Sequence, residues 1–272
     1  TPEREEGEGA RAWALRLVRG EGEGRTPLLE ALSTPAHRQA VLLGDPGSGK
    51  TTFVNYVAYL LATDGEAEAL PEALRSLLPV RLVLREVAAR HVPADAPRGT
   101  AQMLWDALHE SVATLVGATT ADTLFPVLQR RLCEEGGLLL LDGLDEVPAA
   151  QRRRETLLEA VAALAGMLPV RRARLLVTAR PYAYADPAWH LAGFATLALA
   201  PFNDAQVTRF IARWYEAVRP TQGWNPETAR AKGQQLETAL EARPYLADLA
   251  SRPLLLTLMA TLHSSWGQLP ED

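Results

Sequence analysis

The sequence predicts an α/β fold: a three-layer α/β/α domain on a five-stranded, mainly parallel sheet, followed by a small all-α helical subdomain. Three observations lead there. Short segments that are apolar right through recur along residues 39–200, as expected of strands covered on both faces. Longer stretches with apolar residues at helical spacing lie between them, and this alternation builds a parallel sheet joined by right-handed crossovers. Beyond Pro201 the strand pattern stops and only helical periodicity remains.

Residues 1–36 open with "TPEREEGEGARAWALRLVRGEGEGRTP", rich in Gly and Glu around one short helical pattern, and read as a lead-in or linker. The main domain is expected over 37–200. Its strand candidates are "QAVLLG" (39–44), "PVRLVLRE" (79–86), "GLLLLD" (137–142), "ARLLVTAR" (173–180) and "FATLALA" (194–200). The intervening helices are "GKTTFVNYVAYLLA", "TAQMLWDALHESVATLV", "TLFPVLQRRLCEE" and "AQRRRETLLEAVAALAGML". The helical subdomain, 201–272, contains "PFNDAQVTRFIARWYEAV", "PETARAKGQQLETALEA" and "YLADLASRPLLLTLMATLHSSW" and is expected to be truncated. The chain begins at Thr1 without a start methionine, so it reads as a piece of a longer protein.

Composition narrows the possible functions. With 47% hydrophobic and 22% charged residues the 272-residue chain has ordinary globular content. A net charge of −5 gives no general nucleic-acid surface. The short clusters "RRR" (152–154) and "RRAR" (171–174) read as a solvated helix face or a contact with a neighbouring subunit. A single cysteine, Cys133, excludes an intrachain disulfide, suits a reducing compartment and reads as a buried structural thiol. The five histidines are scattered without metal-site spacing, and no apolar run reaches membrane-spanning length. Of 28 basic residues only Lys50 and Lys232 are lysine. A lysine kept against such a background has a task that arginine does not perform.

Lys50 lies in "GDPGSGKT" (44–51), which fits G-x-x-x-x-G-K-[ST] between a strand and a helix. Glycines allow backbone N–H groups to curl into an anion-binding nest, and the helix N-terminus adds positive charge. Gly44, Asp45, Pro46, Gly47, Ser48, Gly49, Lys50, Thr51 and Thr52 are therefore the candidate nucleotide-phosphate residues. Lys50 is placed to reach the β- and γ-phosphates, and the Thr51 hydroxyl to ligate Mg²⁺.

A second cluster, "GGLLLLDGLDEVP" (136–148), sets Asp142, Asp145 and Glu146 at the end of an apolar strand. Beside a phosphate loop, Asp142 reads as the metal-shell carboxylate, acting through water. Asp145 and Glu146 follow on the loop, where either can orient or deprotonate a water, Glu146 being slightly favoured. Capping of the next helix by one of them is the alternative. Arg180 ends the next strand, where a guanidinium can sense a γ-phosphate; a surface salt bridge is its alternative.

Together "VLLGDPGSGKTTFVNYVA", "LLLLDGLDEVP", "RLLVTARPYAY" and "SRPLLLTLMATLH" resemble the NACHT family, within the STAND class of P-loop NTPases related to the AAA+ group. The acidic–Gly–apolar–acidic–acidic run in "DGLDE" is the most specific sign, and the resemblance covers roughly 38–266. It implies an ATP- and Mg²⁺-dependent signal-transduction ATPase with slow hydrolysis. It further implies a switch that exchanges ATP and ADP, self-associates through the NTPase domain, and works in the cytoplasm. Pro253 is implied to pack on the adenine, while its own local reading is a helix start. A winged helix, a sensor and an effector are implied to lie outside this chain. A bacterial, antiphage setting like that of NLR proteins follows from the same resemblance. ATP is favoured over GTP because "RAKGQQ" does not supply a guanine-reading N-K-x-D element. Two other readings stand beside it: an AAA+-type ATPase acting on nucleic acid, and a nucleotide-binding interaction module with little hydrolysis. Against the first, no loop between the phosphate loop and Asp142 clusters arginines with aromatic residues.

Overall fold

In the computed structural model, residues 25–63, 66–148, 152–169 and 172–267 are described, so most of the 1–36 lead-in, including its early helical pattern, lies outside them. The first unit comprises residues up to Asp45 and Lys50–Leu199; Pro46–Gly49 groups with the second unit, which continues from Ala200.

The first unit begins with helix α1 (Leu28–Ser33), strand β1 (Gln39–Leu43) and helix α2 (Lys50–Ala62). After the short helix α3 (Glu72–Arg75) come β2 (Pro79–Val83), α4 (Leu84–Arg90), α5 (Ala101–Val116) and α6 (Ala118–Glu134). Then follow β3 (Leu138–Asp142), α7 (Arg153–Met167), β4 (Arg174–Ala179), the single turn α8 (Pro181–Tyr184) and β5 (Ala195–Ala198). The five strands form one sheet in the order β2-β3-β4-β1-β5. Every pairing is parallel. β4 thus separates the strands that carry the phosphate loop and the acidic run.

Alternate strand residues enter two cores. Val41, Leu43, Leu139, Leu141, Leu175 and Val177 pack with Leu104 and Trp105 of α5 and Leu157 and Val161 of α7. Ala40, Leu42, Leu138, Leu140 and Leu176 pack with Val54, Val57 and Leu60 of α2. This gives the three layers. Leu32 of α1, within the segment read as a lead-in, belongs to the second of these cores. The four leucines of β3 are 0–1% exposed. Each contributes about 1.5–3 kcal/mol on leaving water, enough together to hold a strand that ends in a carboxylate.

The second strand candidate was too long. β2 stops at Val83 because Leu84, Val87 and Ala88, all buried, already follow helical spacing. α6 starts earlier than its pattern indicated, at Ala118, since Gly117 at φ 86° reverses the chain directly after α5. Cys133 lies on α6, half-buried rather than fully enclosed, and burial raises its thiol pKa. The arginine clusters are used inside the fold more than expected. Arg154 lies over the Trp189 ring, 3.2 Å from its centroid, and donates to the Val147 carbonyl. Arg174 is buried and donates to the Ser33 carbonyl.

The second unit contains α9 (Asp204–Gln222), α10 (Pro226–Glu241), α11 (Pro244–Ala250) and α12 (Pro253–Trp266). A capping box between Asn203 and Gln206 starts α9, and Asn225 caps α10. Ile211, Tyr215, Leu236 and Ala260 form its core, where the Tyr215 hydroxyl meets His263 Nδ1 at 2.6 Å. Burial pushes the Tyr215 pKa up to about 12. The segment read as continuous over 245–266 breaks at Ser251–Arg252, because Pro253 lacks an N–H and favours the first turn of a new helix.

Two glycines test this packing in opposite directions. A Cβ on Gly99 would lie 1.8 Å from the Thr156 carbonyl oxygen and 2.5 Å from the Ala160 nitrogen of α7, whereas one on Gly166 meets nothing within 4 Å. Gly99→Ala is expected to lose about 1–3 kcal/mol through overpacking. Gly166→Ala, within a helix, is expected to gain about 0.5–1 kcal/mol. Urea denaturation of both variants against the parent protein checks the pair.

Candidate functional site

The site is assembled at the C-terminal edge of the sheet, where ligands of such sheets bind. β1 delivers Gly44, whose N–H donates to the Ala179 carbonyl of β4 at 3.2 Å. The loop then turns through Gly47 (φ 75°) and Gly49 (φ 96°), both in the left-handed region that only glycine adopts cheaply. α2 begins at Lys50, with Thr51 and the exposed Thr52 in its first turn. Lys50 Nζ donates to the carbonyls of Gly44 and, at 3.1 Å, of Asp45. Burial lowers the Lys50 pKa; the charge of Asp145 opposes this, Arg180 adds to it, and Asp45 and Asp142 oppose it in turn. The ammonium thus lies within the field of Asp145, Asp45 and Asp142.

Asp142 ends β3 and is buried. Its Oδ1 accepts from Thr178 Oγ1 at 2.6 Å and from Thr51 Oγ1 at 3.3 Å. Its Oδ2 accepts from Arg81 Nη2 at 3.0 Å. Gly143, at φ 84°, turns the chain, and its N–H donates to the same Thr178 hydroxyl at 2.8 Å. Asp145 and Glu146 follow in a single 3₁₀ turn and are treated very differently. The Asp145 side chain is 7% exposed and grips Arg180 twice: Nε to Oδ2 at 2.8 Å, and the backbone N–H to Oδ1 at 3.1 Å. The Glu146 side chain is 42% exposed and pairs with Arg85 at 3.1 Å.

A family model for the NACHT domain matches residues 38–218, most of the chain. The chain belongs to the NACHT family. The structure therefore describes the nucleotide-binding domain of a STAND-class P-loop NTPase. No curated protein matches the sequence. Among solved structures, a Walker-type ATPase of Pyrococcus abyssi is similar at 14% identity and a TM-score of 0.47, over 93% of this chain and 70% of that one.

The residues present in this NACHT domain fit the nucleotide and the Mg²⁺ that the family usually binds. Ser48 Oγ is buried without a hydrogen-bond partner, a donor suited to a phosphate oxygen. A Cβ on Gly49 would meet nothing, so the loop is open at that point. Thr51 and Asp142 face each other as a hydroxyl and a carboxylate, hard oxygen donors of the kind Mg²⁺ prefers. No three His, Cys, Asp or Glu side chains converge as a metal cage among the described residues. Thr51 and Asp142 would therefore hold the ion with help from phosphate oxygens and water.

The structure brings together Lys50, Thr51, Asp142, Asp145 and Arg180 as the motifs suggested. Pro253 opens α12 in the second unit, half-buried, where the N–H of its neighbour Leu254 donates to the Gly47 carbonyl at 3.1 Å. Two residues were missed, Arg81 and Arg85, and Thr178 was read only as part of the polar end of the strand "ARLLVTAR". Each of the three carboxylates has its own arginine, Asp142 with Arg81, Asp145 with Arg180 and Glu146 with Arg85. An arginine within the apolar run "PVRLVLRE" was the available signal, and only strand order gives it a partner.

Thr178 is the residue whose loss isolates the effect of orientation. Thr178→Val keeps the shape but removes partners from Asp142 Oδ1 and the Gly143 N–H. A loss of about 1–3 kcal/mol in unfolding free energy is expected, read by thermal or urea denaturation.

Proposed function

We propose that this NACHT domain is an ATP- and Mg²⁺-dependent signal-transduction module, a nucleotide-controlled oligomerisation switch of a bacterial NLR-like protein. The observation that carries the reading is the grip of Asp145 on Arg180 next to the phosphate loop. A γ-phosphate is a second anion competing for the same guanidinium, and a bidentate Arg–phosphate contact is strong enough to win it. Transfer of Arg180 from Asp145 to phosphate would alter the 3₁₀ turn at Leu144–Glu146, so ATP and ADP would favour different arrangements. A ligand shifts a conformational equilibrium only through such differential contacts.

In turnover, Lys50 and the loop N–H groups bind and orient the phosphates, and Asp142 with Thr51 holds the metal. Bound Mg²⁺ would neutralise charge on the β- and γ-phosphate oxygens. Glu146 is the better candidate to orient the attacking water, because its carboxylate is exposed and held by one surface ion pair. Asp145 is occupied by Arg180 and serves as a positioning residue. Hydrolysis is slow and regulatory in this reading, and the location is cytoplasmic. No helix among the described residues is long and apolar enough to cross a membrane.

Lys50→Ala is expected to weaken ATP binding at least about tenfold, the loss of one charge-assisted phosphate contact. Unchanged affinity in a fluorescent-nucleotide titration would remove Lys50 from the site. Glu146→Gln should keep nucleotide affinity while turnover falls about a hundredfold, the scale of lost general-base assistance. Asp145→Asn should instead change the ratio of ATP to ADP affinity. A parent protein without measurable hydrolysis would favour the binding-only module, and light scattering with ATP against ADP reads self-association directly.

A further inference from the structure

Arg81 lies on the edge strand β2, opposite Leu140 of β3. Asp142 is two residues further along β3, so the two side chains emerge on the same sheet face, at diagonal positions within reach of a long side chain. That is the face covered by α2, which carries Thr51. The geometry divides the Asp142 carboxylate cleanly. Oδ2 belongs to Arg81 at 3.0 Å, while Oδ1 faces the Thr51 and Thr178 hydroxyls. Orientation of the carboxylate does not need Arg81, because Thr178 holds Oδ1 at 2.6 Å from the neighbouring strand. Arg81 supplies charge. Its side chain is 34% exposed and that of Asp142 only 8%, so the guanidinium sits at the mouth and the carboxylate inside.

A buried carboxylate that already has a cationic partner is a poor attractor for a second cation. Mg²⁺ approaching from the Thr51 side meets a pair of zero net charge, and it also meets the repulsion of Lys50. We propose that Arg81 is a built-in counter-ion that makes Mg²⁺ binding at Asp142 contingent on the nucleotide. This rests on the site being the nucleotide site described above. In nucleotide-free protein the guanidinium keeps the metal out and the carboxylate settled. With polyphosphate bound, the phosphate charges supply the attraction that the neutralised Asp142 lacks, and metal and nucleotide enter together.

The test is Arg81→Gln, with Arg81→Met as a second neutral variant that keeps the long apolar stem, and Arg81→Lys as the charge-retaining control. Fluorescent-ADP binding is titrated with Mg²⁺ at low ionic strength, and Mn²⁺ binding to nucleotide-free protein is followed by electron paramagnetic resonance. Removing a unit charge a few ångströms from a divalent ion should lower the half-saturating Mg²⁺ about fivefold to tenfold in both neutral variants. Mn²⁺ should bind them without nucleotide and should not bind the parent at the same concentration. Arg81→Lys should match the parent, and nucleotide affinity in chelator should be unchanged throughout. An unmoved or raised Mg²⁺ requirement in the variant that folds overturns the inference while leaving the nucleotide site intact. A parent protein that binds no nucleotide, or one whose nucleotide affinity is unchanged by Lys50→Ala, overturns the functional reading and this inference with it.

Discussion

A carboxylate at the end of a buried strand is stable only if its surroundings accept the charge, and the site is organised around meeting that condition at Asp142. An uncompensated carboxylate there would cost several kcal/mol. Thr178, Thr51 and Arg81 meet that demand from β4, α2 and β2, three elements far apart in the chain. The same contacts fix the Asp142 carboxylate that would face a metal, and Thr178 also ties the Gly143 N–H where the chain turns toward Asp145 and Glu146. The strand order matters for this reason: with β4 between β1 and β3, Thr178 is beside Asp142 and Gly44 is tied to Ala179.

Charge balance explains why so acidic a loop is tolerable. Asp142, Asp145 and Glu146 repel one another at this spacing. The structure assigns an arginine to each acid, so the cluster is compensated by the protein itself. The pairs differ in what they can do. The Asp145–Arg180 contact is two-pointed with a buried carboxylate, whereas the Glu146–Arg85 pair is exposed and weakly held. On the proposed reading each arginine would compete with the next cation its carboxylate meets, which would turn a stability device into one that responds to ligand.

Much of the fold was legible because its signals are local. Apolar runs such as "LLLLD" and helical spacing in "KTTFVNYVAYLLA" are dictated by which faces must leave water. The strands came out within a residue or two, except where "LREVAAR" carries both a strand-like start and a helical apolar spacing. The break at Pro253 was readable from proline chemistry but was blurred by apolar residues on both sides.

Local chemistry was enough to place the phosphate loop and the acidic run at a strand end, because glycine freedom, lysine reach and strand burial are properties of neighbouring residues. Tertiary structure decided the rest. It gave Asp142 to Thr178 and Arg81, and it separated Asp145 from Glu146 by burial, pairing one with Arg180 and the other with Arg85. Those partners are 35 to 61 residues apart in the chain. The order and register of the parallel strands bring Arg81 and Thr178 to Asp142, the segments that follow β2, β3 and β4 bring the other two pairs together, and no local periodicity encodes either.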